Sequence, residues 1–130
     1  MEFISVEEFL KLNEEIQKVL LEWWENNCSS YDLITFVNDK SPRFYCDLEF
    51  WENYEGVIPL LTEGQLRKFI EDKTGGIETI EHFIGIGQYD IKTLPLVDGI
   101  YENDIYEDLG EDVLQAYWKV AIEIAKHETR

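Results

Sequence analysis

The stretch from Val57 to Gly76 constrains the fold of this chain more than any other. Thr62 has the form of a helix N-cap, Gln65 three residues on completes a capping box, and Leu61 and Leu66 fill the two places of a hydrophobic staple. Leu66, Phe69, Ile70 and Lys73 then recur at three-and-four spacing, which predicts a short amphipathic helix with Arg67, Lys68, Glu71 and Asp72 in solvent. Gly75 stands where a left-handed residue would end it. The segment fixes a scaffold and carries no chemistry.

The flanking segments extend that scaffold. Ser5 with Glu8 forms a second capping box, and Phe9, Leu12, Ile16, Val19, Leu20 and Trp23 keep helical spacing through residue 24. Asn13 before Glu14 and Glu15 has the form of another cap, so this region is either one helix or two. The polar run from Asn26 to Ser30 ends helical order. Leu33–Val37 and the alternating run from Phe44 to Trp51 read as strands, and Asn38–Pro42 between them as the turn of a hairpin. Ile77–Ile91 favours strand, with Gly85 and Gly87 marking a bulge or bend. Ile100–Ile105 is either a further short strand or an irregular connection. From about Glu111 to Lys126, Leu114, Trp118, Ala121 and Ala125, with Val113, Tyr117, Val120 and Ile124 beside them, predict a largely buried final helix. The order predicts an α+β fold, a small antiparallel sheet with three or four helices packed mainly on one face, in one globular domain over residues 1–130.

Charge bounds the partners. The chain has 28 acidic against 11 basic residues, a formal net charge of −17. Such a surface repels phosphate backbones and anionic membranes, so neither nucleic acid nor a membrane is an expected partner. It favours solubility and long-range attraction to a basic protein surface. Cys28 and Cys46 are the only cysteines, with no CxxC pair, which predicts reduced thiols in a cytoplasmic protein. The N-terminus lacks the basic and apolar regions of a signal peptide.

Three groups of side chains are candidates for a site. Asp47 and Glu49, beside Tyr45 and Trp51, share one face of the predicted strand, and Glu52, Tyr54 and Glu55 follow them. A restriction-type nuclease needs a Lys two residues after its second carboxylate, and Trp51 stands there instead. The face is either a second buried face of the sheet or an interface, since Trp and Tyr dominate interface centres. The run from Tyr101 to Asp112 holds six carboxylates in twelve residues, including Glu102, Asp104, Glu107 and Asp108. Counted as a calcium loop from Asp104, it places Tyr106 and Leu109 at positions that require an oxygen ligand and a glycine, so it does not fit. Its acids either complement the dipole of the last helix or form an acidic interaction surface. Finally, Trp23 and Trp24 cannot both point the same way from a helix, which places at least one at a core edge or an interface. His82 and His127 are unaccompanied by other ligands, and no serine, cysteine or glycine motif fits a nucleophile or dinucleotide site, so no catalytic residue, cofactor or metal is expected.

Phe9–Leu12 with Glu15–Lys18 and Trp23–Trp24, then Ile58–Leu66 through Asp72–Gly75, then Leu114–Lys119 with Ile124–Lys126, resemble a family of small, functionally uncharacterised proteins encoded by phages and prophages of Gram-positive bacteria. The matching segments cover roughly half of the chain and coincide with its predicted core helices. The resemblance implies a phage context and a bacterial host cytoplasm, and it carries over no catalytic residue. The chain departs from the family after Trp24, where relatives place a Pro- and Gly-bearing turn and Asn26–Ser30 stands here.

The expected function is therefore a phage accessory protein that binds and inhibits or modulates a basic host or defence protein through an acidic surface. Its sharpest form is a DNA mimic acting against CRISPR or restriction systems. The alternative is a small scaffold or regulatory domain that forms homo-oligomers through Trp23, Trp24 or Trp51, its acidity serving solubility. A metal-dependent hydrolase is a third class, with no ligand spacing to support it.

Overall fold

The computed structural model describes residues 2–37, 41–45, 56–83, 85, 87–95 and 104–129. Among these, the chain is α+β, with four helices and two three-stranded antiparallel sheets. The strands are thus shared between two small sheets. Contacts divide the chain into two compact units, one built mainly from Phe3–Leu61 and the other mainly from Thr62–Glu128.

The first unit opens with two helices, α1 (Val6–Leu10) and α2 (Glu14–Asn27). The break is set by consecutive caps: Ser5 Oγ accepts from the Glu8 N–H at 3.2 Å, and Asn13 Oδ1 accepts from the Ile16 N–H at 2.9 Å. Each side chain satisfies an amide that the first helical turn leaves without a partner. Helical order runs past residue 24 to Asn27, because Asn26 and Asn27 donate back to the Glu22 and Trp23 carbonyls at 2.9 and 2.8 Å. Strand β1 (Leu33–Phe36) lies between β2 (Arg43–Phe44) and β3 (Val57–Pro59). The predicted hairpin is present as Leu33 opposite Phe44 and Ile34 opposite Arg43. Most of the second run, from Cys46 to Trp51, lies outside the described residues, as do residues 38–40 of the turn. Strand β3 ends on Pro59, which has no N–H to donate and so suits the edge position.

Trp23 and Trp24 are both buried, at 8% and 3% exposure, so the expectation that one of them would sit at a rim or interface is corrected. Successive helical positions are about 100° apart, and the arc from Trp23 through Ile16 and Leu20 to Trp24 is wide enough to be buried throughout. The Trp24 indole N–H donates to Asp32 Oδ2 at 3.2 Å, and its ring meets Tyr45 edge-on at 5.2 Å.

The second unit begins with α3 (Glu63–Lys73), and its complete capping box matches the sequence reading: Thr62 Oγ1 accepts from the Gln65 N–H, and Gln65 Oε1 accepts from the Thr62 N–H at 2.9 Å. Leu66, Phe69 and Ile70 are fully buried, worth about 1.5–3 kcal/mol each. Arg67–Glu71 and Lys68–Asp72 pair on the solvent side at 3.1 and 2.8 Å, in the less favourable order of base before acid, so they add only a few tenths of a kcal/mol. The left-handed residue after the helix is Gly76, at φ 117°, and not Gly75. Gly75 is needed for a different reason, because a Cβ there would collide with the Pro95 carbonyl.

Strands β4 (Ile77–Phe83) and β5 (Gln88–Thr93) form a hairpin, and β6 (Asp104–Tyr106) pairs with β5 on its far side. Helix α4 (Val113–Glu128) packs on α3 and on β5. Eight of its side chains are buried, from Leu114 to Ala125, as its wide apolar stripe predicts. Its start is set by Asp112, whose Oδ1 accepts from the Gln115 N–H at 3.0 Å. Ile91 and Thr93 of β5 are buried, so the β5 face that carries them forms part of the core.

Candidate functional site

Of the sequence-predicted site residues, Asp47, Glu49, Trp51, Glu52, Tyr54, Glu55 and Glu102 lie outside the described residues. Asp104, Glu107 and Asp108 are described, and all three are exposed. They are carried by β6 and by the loop that joins it to α4.

The loop is tied down along β5. The Leu109 N–H donates to the Tyr89 carbonyl at 3.0 Å and the Tyr89 N–H to the Gly110 carbonyl at 2.9 Å, prolonging the β5–β6 ladder past Tyr106. Lys119 of α4 donates to the Leu109 carbonyl at 3.1 Å. Asp108 is the one non-glycine residue with positive φ among the described residues, at 56°. Aspartate tolerates this left-handed region better than most residues. Its N–H is held by Asp90 Oδ1 at 3.1 Å, which fixes the turn and places two acidic residues beside each other.

That juxtaposition continues across the sheet. Asp90 stands directly opposite Glu81 in the β4–β5 register. Glu81 and Asp90 therefore face each other, and through the Asp108 backbone a row of acidic residues runs from the edge of β4 over β5 to the loop. Like charges directly opposite each other on a sheet are unfavourable, so the row is a place where a cation would be stabilising. Sequence reasoning named Asp108 and missed Glu81 and Asp90, because only the register of the hairpin brings residues so far apart in the chain into line.

Two hollows flank β6. One, of about 510 Å³, is lined by Ile105, Glu107, Asp108, Lys119, Ile122 and Glu123, and combines the exposed side chain of Ile105 with carboxylates and one lysine. The other, of about 390 Å³, is lined by Lys73, Thr74, Leu94, Asp104, Tyr106 and His127 among others. Lys73 is held there by Glu128 at 3.1 Å. Burial pushes the Tyr106 hydroxyl up to about 12, and the charges of Asp104 and Glu123 add to the effect. It is thus a neutral hydrogen-bonding group at ordinary pH. Among the described residues no group of histidine, cysteine and carboxylate side chains is placed to hold a metal ion. His82 is exposed and stacks on Tyr89 at 4.5 Å, His127 is exposed, and Cys28 is a free thiol. No described helix is long and apolar enough to cross a membrane.

No family model, curated protein or solved structure matches the chain.

Proposed function

We propose that this protein is a non-enzymatic accessory protein of a phage or prophage, which binds a basic host or defence protein through its acidic surface and thereby inhibits or modulates it. The observation that carries this reading is the charge of −17, together with the acidic row in which Asp90 stands opposite Glu81 and holds the Asp108 backbone, while Lys92 on the same face is bonded to Glu78. A protein gains nothing in stability from such a row. It gains electrostatic attraction for a cationic partner, expressed mainly as a faster association that weakens with salt. A DNA-mimicking inhibitor of a nucleic-acid-handling defence enzyme is the sharpest form of the proposal. The phage context rests on the resemblance of the three core segments, and a bacterial cytoplasm follows from it.

The test is a pull-down from a host lysate at low and at high salt, with bound proteins identified by mass spectrometry, followed by competition with DNA. Recovery of a basic protein at low salt, released by DNA or by salt, supports the reading. Recovery of no basic protein at low salt removes it.

A further inference from the structure

We propose that the outer edge of β4 receives an extended, basic segment of the partner as a fourth strand of the β4–β5–β6 sheet. This rests on the reading that the partner is basic, and it names the place and the mode of contact.

The first argument is the backbone. Strand β5 is central in the sheet, and β4 pairs with it from Ile77 opposite Thr93 to Phe83 opposite Gln88. No described strand lies on the other side of β4. Its outward N–H and C=O groups are a template for one more strand, which main-chain hydrogen bonds hold in register. Neither face of β4 is covered either: Glu78 to Phe83 are all exposed.

The second argument is what guards this edge. Natural edge strands are protected by lysine, proline, bulges or extreme shortness. Strand β4 has seven residues, no lysine and no proline, and one irregularity between Ile77 and Thr79. Its charges are glutamates. Glu78 is bonded to Lys92 of β5 at 3.3 Å, whereas Glu81 faces Asp90. A second copy of the chain brings a further −17 to this edge. A strand with lysine or arginine opposite Glu81 instead extends the acidic row with a cation, and its alternate apolar side chains, on the other face, cover Ile80, which is 36% exposed. Charge therefore selects a basic segment over self-pairing.

The experiment uses the full chain and two synthetic peptides of the sequence Lys-Val-Lys-Val-Arg-Val-Lys, one of them N-methylated at every backbone nitrogen. The two have the same charge, and only the first can complete a ladder. Binding is read by fluorescence anisotropy at about 0.15 M salt, where long-range attraction is largely screened, and the bound region by amide hydrogen exchange. The expected result is that the unmethylated peptide binds at least about tenfold more tightly, slows exchange within Ile77–Phe83, and loses affinity for the Glu81→Lys variant. Equal binding of both peptides overturns strand addition while leaving the acidic-surface reading intact. Protection only outside β4, no binding, or protection of β4 that rises with protein concentration in the absence of peptide overturns it as well. The low-salt lysate pull-down reports separately on whether the partner is basic at all.

Discussion

The backbone N–H of Asp108 donates to the Asp90 carboxylate at 3.1 Å while Asp108 itself is held at a left-handed φ of 56°. One hydrogen bond thus fixes a left-handed turn and joins two acidic residues. The arrangement separates the conformational cost of the residue from its charge. Asp108→Ala and Asp108→Gly remove the same carboxylate, but alanine keeps the left-handed penalty of about 1–2 kcal/mol and glycine does not. Urea unfolding should place Asp108→Ala below Asp108→Gly by about 1 kcal/mol, whereas any loss of binding to a basic peptide should be the same for both.

Two glycines of the second unit should respond to alanine in opposite directions. Gly64 is exposed in the first turn of α3 and a Cβ there meets nothing within 4 Å, so Gly64→Ala should stabilise by about 0.5–1 kcal/mol through helix propensity. At Gly75 a Cβ runs into the Pro95 backbone, while the Gly75 N–H is committed to the Leu94 carbonyl at 2.8 Å. Gly75→Ala should cost about 1–3 kcal/mol, the usual range for forced overpacking. Denaturant midpoints of the two variants check both signs.

The helices were legible in the sequence because their signals are local. Ser5, Asn13 and Thr62 each meet an amide three residues ahead, and the apolar stripes of α3 and α4 need only their own period. The sheets were legible only as strands. That β1 pairs with β3, and that Glu81 falls opposite Asp90, depends on contacts between segments that no local pattern encodes. Strand β3 is only three residues long and carries Pro59, which is tolerated because the strand is at an edge. For Trp24 the local view failed in another way. Its indole is buried beyond the ordinary apolar stripe because Asp32 accepts its N–H and Tyr45 packs across the ring. Of the expected acidic residues, Asp104, Glu107 and Asp108 are exposed, and finding Glu81 opposite Asp90 needed the register.

Tyr106 gives the second unit a pH limit on the alkaline side. Its pKa is raised from 10.0 to about 12, first by burial and then by Asp104 and Glu123. The fold therefore favours the neutral phenol, and the stability that this contributes is complete below pH 10 and is lost as the pH climbs towards 12. Stability measured by urea unfolding should fall across that window more steeply in the native chain than in Tyr106→Phe. A phenolate absorbance titration should lose a component near pH 12 in the same variant.

The charge of −17 should itself be visible in stability. Many exposed carboxylates repel one another in the compact state more than in the expanded chain, so the folded form is penalised at low ionic strength. Screening shortens the reach of that repulsion to about 8 Å at 0.15 M salt. The melting temperature should therefore rise between low and physiological salt, opposite to the trend of a fold held together by surface ion pairs. The described pairs are mostly helical ones on exposed side chains, such as Lys18–Glu22 and Lys126–Glu123, and are worth too little to reverse the sign. Replacing Glu81 and Asp108 by Gln and Asn removes two members of the carboxylate row and keeps the shapes of their side chains. That variant should melt higher than the native chain at low salt, with a smaller gain on adding salt. Unchanged melting at low salt would mean that the row contributes no repulsion, and the basic partner would then have no local strain to relieve there.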